Sequence, residues 1–291
     1  MGIENVKTIG VVGAGQMGRG IAQIACLDGF TVLLHDREGG ALDSAQKEID
    51  RGLDRMVEKG GLSQADKGTA LRRLRAVADL KEIAACDFVI EAVTERLPVK
   101  MQIFEALGGG CREEVILASN TSSLSITRIA SAARRPERVI GMHFMNPVHV
   151  MKLVEVVPGQ ATSRETADAT VALALRLGKT PVVSQDLPGF ISNRILMPMI
   201  NEAIFALHEG LGTRDDIDTV MTLGMRHPMG PLALADFIGL DTCLSIMEIL
   251  HAGFGDSKYR PCPLLRRMVD AGFHGRKTGR GFYEYPAEGP R

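Results

Sequence analysis

The chain has 291 residues, 45% of them hydrophobic and 24% charged, with 32 glycines, 13 prolines and no tryptophan. At roughly 150 residues per domain this is material for about two globular domains; an ordinary apolar fraction, with glycine scattered without a short period, excludes disorder and collagen-like repetition. The 34 basic residues nearly cancel the 35 acidic ones, for a net charge of −1, so no global field draws the chain to nucleic acid or an anionic membrane, and any anionic ligand must be held by local groups.

The five cysteines, Cys26, Cys86, Cys111, Cys243 and Cys262, form no C-x-x-C pair, and an odd count in a chain this large is not a disulfide framework, so a reducing cytoplasm is the expected location. No apolar run reaches the length of about 18 residues that a membrane span needs. Glu4 and Lys7 precede only a short apolar run broken by glycines, which does not make a secretory signal. The reading calls for no metal.

In chain order, the β-branched run VKTIGVV, residues 6–12, reads as a buried strand closed by Gly13. Met17, Ile21, Ile24 and Ala25 then recur at helical spacing until Gly29, and a second strand, 31–35, ends at Asp36. Leu42, Ala45, Ile49, Leu53 and Met56 form one stripe of a long surface helix, 41–59. Alternation continues with a strand at 88–92, a helix at 98–107, a strand at 115–119, a helix at 125–132 and a strand at 139–142. A strand at 153–157, a helix at 163–177 and a strand at 181–184 extend it. Strands regularly spaced by helices predict a parallel sheet with helices on both faces.

The pattern changes at Asp186-Leu187-Pro188-Gly189, a turn-forming cluster after which strand signals almost vanish. From Phe190 to about Asp270 the periodicity is helical. Pro198 lacks an N–H and is expected to kink the first of these helices, 190–208. The expected division is therefore an α/β domain, 1–187, and an all-helical one, 188–291.

Gly13-Ala14-Gly15-Gln16-Met17-Gly18 is a G-x-G-x-x-G that closes a strand and opens a helix, with the acid Asp36 eighteen residues beyond Gly18 at the end of the next strand. That context is the fingerprint of a nicotinamide dinucleotide site. Gly13 allows the tight turn, Gly15 lets backbone approach a pyrophosphate, and Gly18 lets the helix pack closely; the helix N-terminus, with Gln16 and Met17 in its first turn, offers N–H groups to phosphate. Asp36 is suited to accept from both adenosine ribose hydroxyls and to repel a 2′-phosphate, which favours NAD over NADP. Arg37 beside it works the other way, because an arginine there can pair with a 2′-phosphate.

A dinucleotide fold does not identify a reaction. Among seven histidines, His143 stands out because it follows the apolar strand 139–142, at the carboxyl end of the sheet where such folds bind ligands. Twelve residues on, Glu155 interrupts the apolar strand KLVEVVP, and a buried carboxylate needs a partner. A histidine paired with a glutamate is a general base whose second ring nitrogen is oriented by the carboxylate. Ser119-Asn120-Thr121-Ser122-Ser123 also follows an apolar strand; Ser123 or Ser125 is a candidate helix cap, and the hydroxyls lie at the right edge to hold a polar substrate.

With these residues goes a resemblance to the 3-hydroxyacyl-CoA dehydrogenase family, particularly its stand-alone bacterial 3-hydroxybutyryl-CoA and 3-hydroxyadipyl-CoA members. It is carried by GAGQMGRGIAQ, EAVTER, SNTSSL, GMHFMNPVHVMKLVEVV, DLPGFISNRILMP, HPMGPLALADFIGLD and GRKTGRGFYEY, in the family's order over essentially the whole chain. The resemblance implies a Rossmann-type doubly wound sheet followed by an all-helical C-terminal domain that dimerises. It also implies the reversible oxidation of a (3S)-3-hydroxyacyl-CoA by NAD, on a short-chain or a dicarboxylic acyl group. His143 matches the family's general base and Glu155 the residue that orients it, while Ser122 and Asn193 match residues that hydrogen-bond the reacting part of the substrate. Glu95, Lys100 and Asn120 match residues near the nicotinamide ribose, Lys277 matches a basic tail that reaches the cofactor, and Lys59 matches a lysine that meets the CoA phosphates. Where a related animal enzyme has a CoA-contacting serine, this chain has Gly52. Two other classes stay open: a β-hydroxyacid dehydrogenase acting on free acids, whose pattern calls for a catalytic lysine where this chain offers Asn193 and Arg194, and a non-catalytic relative of the crystallin kind.

Overall fold

The computed structural model describes residues 3–286, which divide into two compact units that meet in sequence between Leu187 and Pro188. The first unit is built on one eight-stranded sheet in the order β3-β2-β1-β4-β5-β6-β7-β8. Its first half comprises β1 (Thr8–Val12), α1 (Gln16–Leu27), β2 (Thr31–His35), α2 (Gly39–Glu58), α3 (Gln64–Arg73) and β3 (Leu74–Val77). Then come β4 (Phe88–Glu91), α4 (Leu97–Gly110), β5 (Ile116–Ser119), α5 (Ile126–Ala130) and β6 (Val139–Phe144). The last three elements are β7 (Leu153–Pro158), α6 (Arg164–Arg176) and β8 (Thr180–Val183).

The central strands are buried along their whole length, as expected where helices cover both faces: β4, β5 and β6 have no exposed residue. The first six strands have the order of a dinucleotide-binding fold, reversing direction of growth between β1 and β4. The long stripe on α2 is met by Leu42, Ala45, Ile49 and Leu53, all in the core shared with α1 and β2.

Three features depart from the sequence expectation. The sheet is not wholly parallel: β6 and β7 run antiparallel, with His143 opposite Glu155 in register, and β8 is parallel to β7. The connection from β6 to β7 holds no helix, and a parallel return requires a crossover of a dozen or more residues. Secondly, α3 and β3 fill the stretch between the helix expected at 41–59 and the strand expected at 88–92. LRAV is a four-residue edge strand with one buried position, too short and too exposed to leave a pattern. Lys67, buried on α3, pairs with Asp50 at 2.7 Å and with Asp54, both on α2, so charge rather than an apolar stripe fastens this helix. Finally, the segment 115–119 begins as a strand only at Ile116, and that at 6–12 only at Thr8.

The second unit is helical: α7 (Ser192–His208), α8 (Arg214–Thr219), α9 (Pro231–Ile238), α10 (Leu240–Phe254) and α11 (Pro263–Asp270). Its core joins Met197, Ile200 and Ile204 to Leu232, Leu240, Met247, Leu250 and Leu265. One helix, α7, continues through Pro198. Two buried aspartates tie the tail to this core. Asp218 accepts from Leu232 N, Ala233 N and the Tyr283 hydroxyl, and Asp236 from Phe282 N, Tyr283 N and the Tyr285 hydroxyl. The stretches HPMGPLALADFIGLD and GRGFYEY thus meet each other in a clamp internal to this unit. Every cysteine is buried and free, and among the described residues no helix is long and apolar enough to cross a membrane.

Candidate active site

The glycine-rich turn lies at the carboxyl end of β1, beside the point where the strand order reverses. Gly13 has φ +107°, and a Cβ there would stand 2.6 Å from the Ala92 carbonyl oxygen at the end of β4, so no other residue fits. A Cβ at Gly18 would lie 1.8 Å from the Gly13 carbonyl oxygen, whereas at Gly15 it would meet nothing within 4 Å. The turn is closed where helix meets turn and open where a ligand's pyrophosphate must approach. No side chain caps α1 at Gly15, with Gln16 and Met17 following in its first turn, which leaves that helix end for an anion. Asp36 follows β2, and its carboxylate accepts from Ala14 N at 2.8 Å and Glu38 N at 3.1 Å. The acid therefore also fixes the turn, a task its position in sequence does not reveal. These residues fit NAD.

A buried network orders the loop after β5. Glu91, fully buried at the end of β4, accepts from Val93 N at 2.7 Å, Ser119 Oγ at 2.6 Å and Lys100 Nζ at 2.7 Å. Lys100 Nζ also lies 3.4 Å from Glu95 Oε2. Glu95 Oε1 in turn accepts from Thr121 Oγ1 at 2.6 Å, Ser122 N at 2.8 Å and Ser122 Oγ at 3.2 Å. Burial would raise the Glu95 pKa, but Lys100 and these hydrogen bonds outweigh it and hold the carboxyl below its ordinary range. Lys100 itself is only 1% exposed. Its charge is aimed at Glu91 and Glu95, and through them it supports the loop after β5. The cap of α5 is Ser125, not Ser123, with Asp186 accepting from Ile126 N and Thr127 N.

Beside this loop, the antiparallel register of β6 and β7 sets His143 and Glu155 directly opposite, which puts their side chains on one face of the sheet. Nδ1 of His143 is 2.8 Å from Oε2 of Glu155, and both residues are buried. Nδ1 faces the carboxylate, and this contact orients the imidazole ring. Asn120 binds the neighbouring backbone: its Oδ1 accepts from Phe144 N at 2.9 Å, fixing the end of β6 against the end of β5. Gly13, Asp36, Ser122 and His143 thus lie along one edge of the sheet, the carboxyl edge of the parallel strands.

A groove of about 440 Å³ opens in the same unit between α1, α2 and the loop after β6, lined among others by Arg19, Gly52, Arg55, Lys59 and His149. Arg19, Arg55 and Lys59 make no ion pair among the described residues. A Cβ on Gly52 would stand 2.9 Å from Gln23 Oε1, so the Gln23 amide from α1 takes the space that a serine side chain would need.

Two of the residues singled out lie in the second unit. Asn193 is buried in the first turn of α7, its N–H donating to Gly189 O at 3.0 Å. Lys277 Nζ is 2.6 Å from Asp241 Oδ2.

Two family models match the chain: the NAD-binding domain of 3-hydroxyacyl-CoA dehydrogenase over residues 8–187, and the C-terminal domain of the same family over residues 189–285. A probable 3-hydroxybutyryl-CoA dehydrogenase of Bacillus subtilis is 56% identical over 96% of this chain and 98% of its own. A 3-hydroxybutyryl-CoA dehydrogenase of Bradyrhizobium diazoefficiens is 54% identical over 98% of this chain and 97% of its own. Among solved structures, the (S)-3-hydroxybutyryl-CoA dehydrogenase of Ralstonia eutropha superposes with a TM-score of 0.95 at 49% identity, covering 97% of this chain and all of that one. The two models together cover nearly the whole chain: it belongs to the 3-hydroxyacyl-CoA dehydrogenase family, with NAD as its cofactor and dehydrogenation of a 3-hydroxyacyl-CoA as its reaction.

Proposed function

We propose that the substrate is a short (3S)-3-hydroxyacyl-CoA, the 3-hydroxybutyryl thioester, and that His143 is the base. The observation that carries this reading is the buried His143–Glu155 pair at 2.8 Å. His143 Nε2 takes the proton of the 3-hydroxyl, and the Glu155 carboxylate stabilises the imidazolium that forms. Bound NAD supplies the complementary chemistry by accepting the hydride from C3. Ser122, fixed by Glu95, and Asn193 hold the substrate oxygen, while Asn120 keeps the His143 strand end in place. Lys277 and the Glu95 carboxylate serve the cofactor. The short acyl chain is supported by the relatives at 54–56% identity, which carry the 3-hydroxybutyryl name.

The nucleotide end of CoA fits the groove of Arg19, Arg55 and Lys59, three cations without acidic partners among the described residues. In a protein with a net charge of −1, a polyphosphate needs such a local site. Contacts far from C3 serve catalysis because remote binding energy holds the hydroxyl against the base. The helical unit, with Leu211, Leu223 and Met225 exposed at 83%, 79% and 61%, is read as the face of a homodimer, in the cytoplasm.

The test is oxidation of NADH with acetoacetyl-CoA, longer 3-oxoacyl-CoAs, a dicarboxylic one and free acetoacetate. Highest kcat/KM is expected for the four-carbon thioester, with free acetoacetate nearly inert. Comparable kcat/KM for acetoacetate would replace this reading with the free-acid one, and no turnover of any substrate would favour a non-catalytic role.

A further inference from the structure

Lys179 lies between α6 and β8, is 8% exposed, and makes no ion pair among the described residues. Its Nζ donates instead to two backbone carbonyls of the loop after β6, Val148 O and, at 2.9 Å, Met151 O. A cation kept in a protein interior without a carboxylate is costly, and here burial alone pushes its pKa down.

The loop that Lys179 supports is one wall of the basic groove. Asn146, Pro147, Val148, His149 and Val150 all line it, together with Arg19 on α1, Arg55 on α2 and Lys59 at the C-terminal end of α2. Val148 is buried against α1 so closely that a Cβ on Gly20 would come within 2.9 Å of it. Lys179 thus holds the wall from behind while α1 receives it from the front. Its charge reaches the groove as well: beyond the effect of burial, Arg55, Lys179 and Lys59 each push the His149 pKa below its ordinary value. Among the described residues that line the groove, Glu48 is the one acid, and it pairs with Arg51 at 2.8 Å.

We propose that Lys179 is a positioning residue for the nucleotide end of the acyl-CoA: it fixes the wall formed by residues 146–150 and supplies a buried positive charge whose counter-ion is the bound phosphate. This rests on the reading that the groove takes that part of the substrate. It makes Lys179 a determinant of KM for the CoA thioester, acting through the loop and the field and touching neither C3 nor the nicotinamide.

The experiment compares two substrates, acetoacetyl-CoA and the acetoacetyl thioester of N-acetylcysteamine, which lacks the nucleotide. Lys179→Met should raise KM for acetoacetyl-CoA about 10- to 100-fold, the weight of one charge-assisted contact. Its kcat, and kcat/KM for the truncated thioester, should stay within about twofold of the parent, because a residue that acts only through the groove wall and its field leaves the chemistry alone. Lys179→Gln keeps a donor for the carbonyls and removes the charge, and should give an intermediate KM. Lys59→Ala in parallel tests the groove itself. Selective loss on CoA in Lys59→Ala but not in Lys179→Met overturns the role of Lys179 alone, and no selective loss in either overturns the groove reading. Equal losses on both substrates, or failure of both Lys179 variants to fold, would make Lys179 a residue of the fold and refute the proposal.

Discussion

Replacing Glu155 by glutamine isolates what the carboxylate does for His143. Glu155 is 1% exposed and sits opposite His143 across two hydrogen-bonded strands, so the isosteric amide keeps volume and register and removes only the charge. A hydrogen bond to a charged group contributes about 1.5–3 kcal/mol and a neutral one about 0.5–1.5 kcal/mol; the difference, about 1–1.5 kcal/mol, slows the step roughly 5- to 15-fold. The Coulomb attraction between carboxylate and imidazolium is the upper bound, about 4 kcal/mol at 4 Å with an effective dielectric constant of about 20, or roughly 10³-fold. The Gln side chain can also turn its NH₂ toward Nδ1 and drive the ring proton to Nε2, which removes the base, as a wrong tautomer does in other His–carboxylate pairs. We therefore expect kcat to fall between about 10- and 10³-fold, with NADH affinity unchanged. The assay is NADH oxidation with acetoacetyl-CoA, run with NADH and its deuterated form so that an isotope effect certifies hydride transfer as rate-limiting. A Glu155→Gln enzyme that keeps more than a third of the parent kcat under that condition would refute the pairing as part of catalysis. His143→Gln in the same assay should lose about 10²- to 10⁴-fold.

Three further outcomes are expected. NAD should exceed NADP by roughly 10- to 150-fold in kcat/KM, since Asp36 loses charged hydrogen bonds against a 2′-phosphate; equal use of NADP would give the site to Arg37. Lys100→Met leaves the fully buried Glu91 without its cation, 2.7 Å away, and should cost about 3–5 kcal/mol in urea unfolding; replacing Glu91 by leucine as well should recover part of it, and an unchanged midpoint in the single variant would show the pair to be inert. The pKa of Glu95 is lowered in the folded protein, so its contribution to stability is complete above the ordinary glutamate range and is lost as pH falls through the lower, folded value. Urea midpoints measured down that range should drop more steeply for the parent than for Glu95→Gln, and parallel curves would exclude Glu95 as a source of the acid sensitivity.

The alternation of strand and helix, the dinucleotide turn and the residues of chemical interest are legible along the chain. These are local properties: a β-branched run closed by glycine, a helical stripe of apolar residues, and an acid eighteen residues beyond Gly18 are written in neighbouring positions. His143 and Glu155 were legible as a candidate pair because an ionisable group inside an apolar strand demands a partner. Their meeting, however, depends on β7 reversing against β6, and strand direction is decided by the whole sheet. The edge strand β3 and the charge-fastened α3 left no pattern because neither buries an apolar stripe. Only the tertiary structure turned Lys100 inward onto Glu91 and Glu95, made Asp36 a brace for the glycine turn, and put Gln23 into the space beside Gly52. It also gathered Arg19, Arg55, Lys59 and, from behind the wall, Lys179 around one groove. Those are contacts between residues distant in sequence, and a lysine on a surface helix reads the same as one beneath a binding wall until burial and hydrogen-bond partners distinguish them.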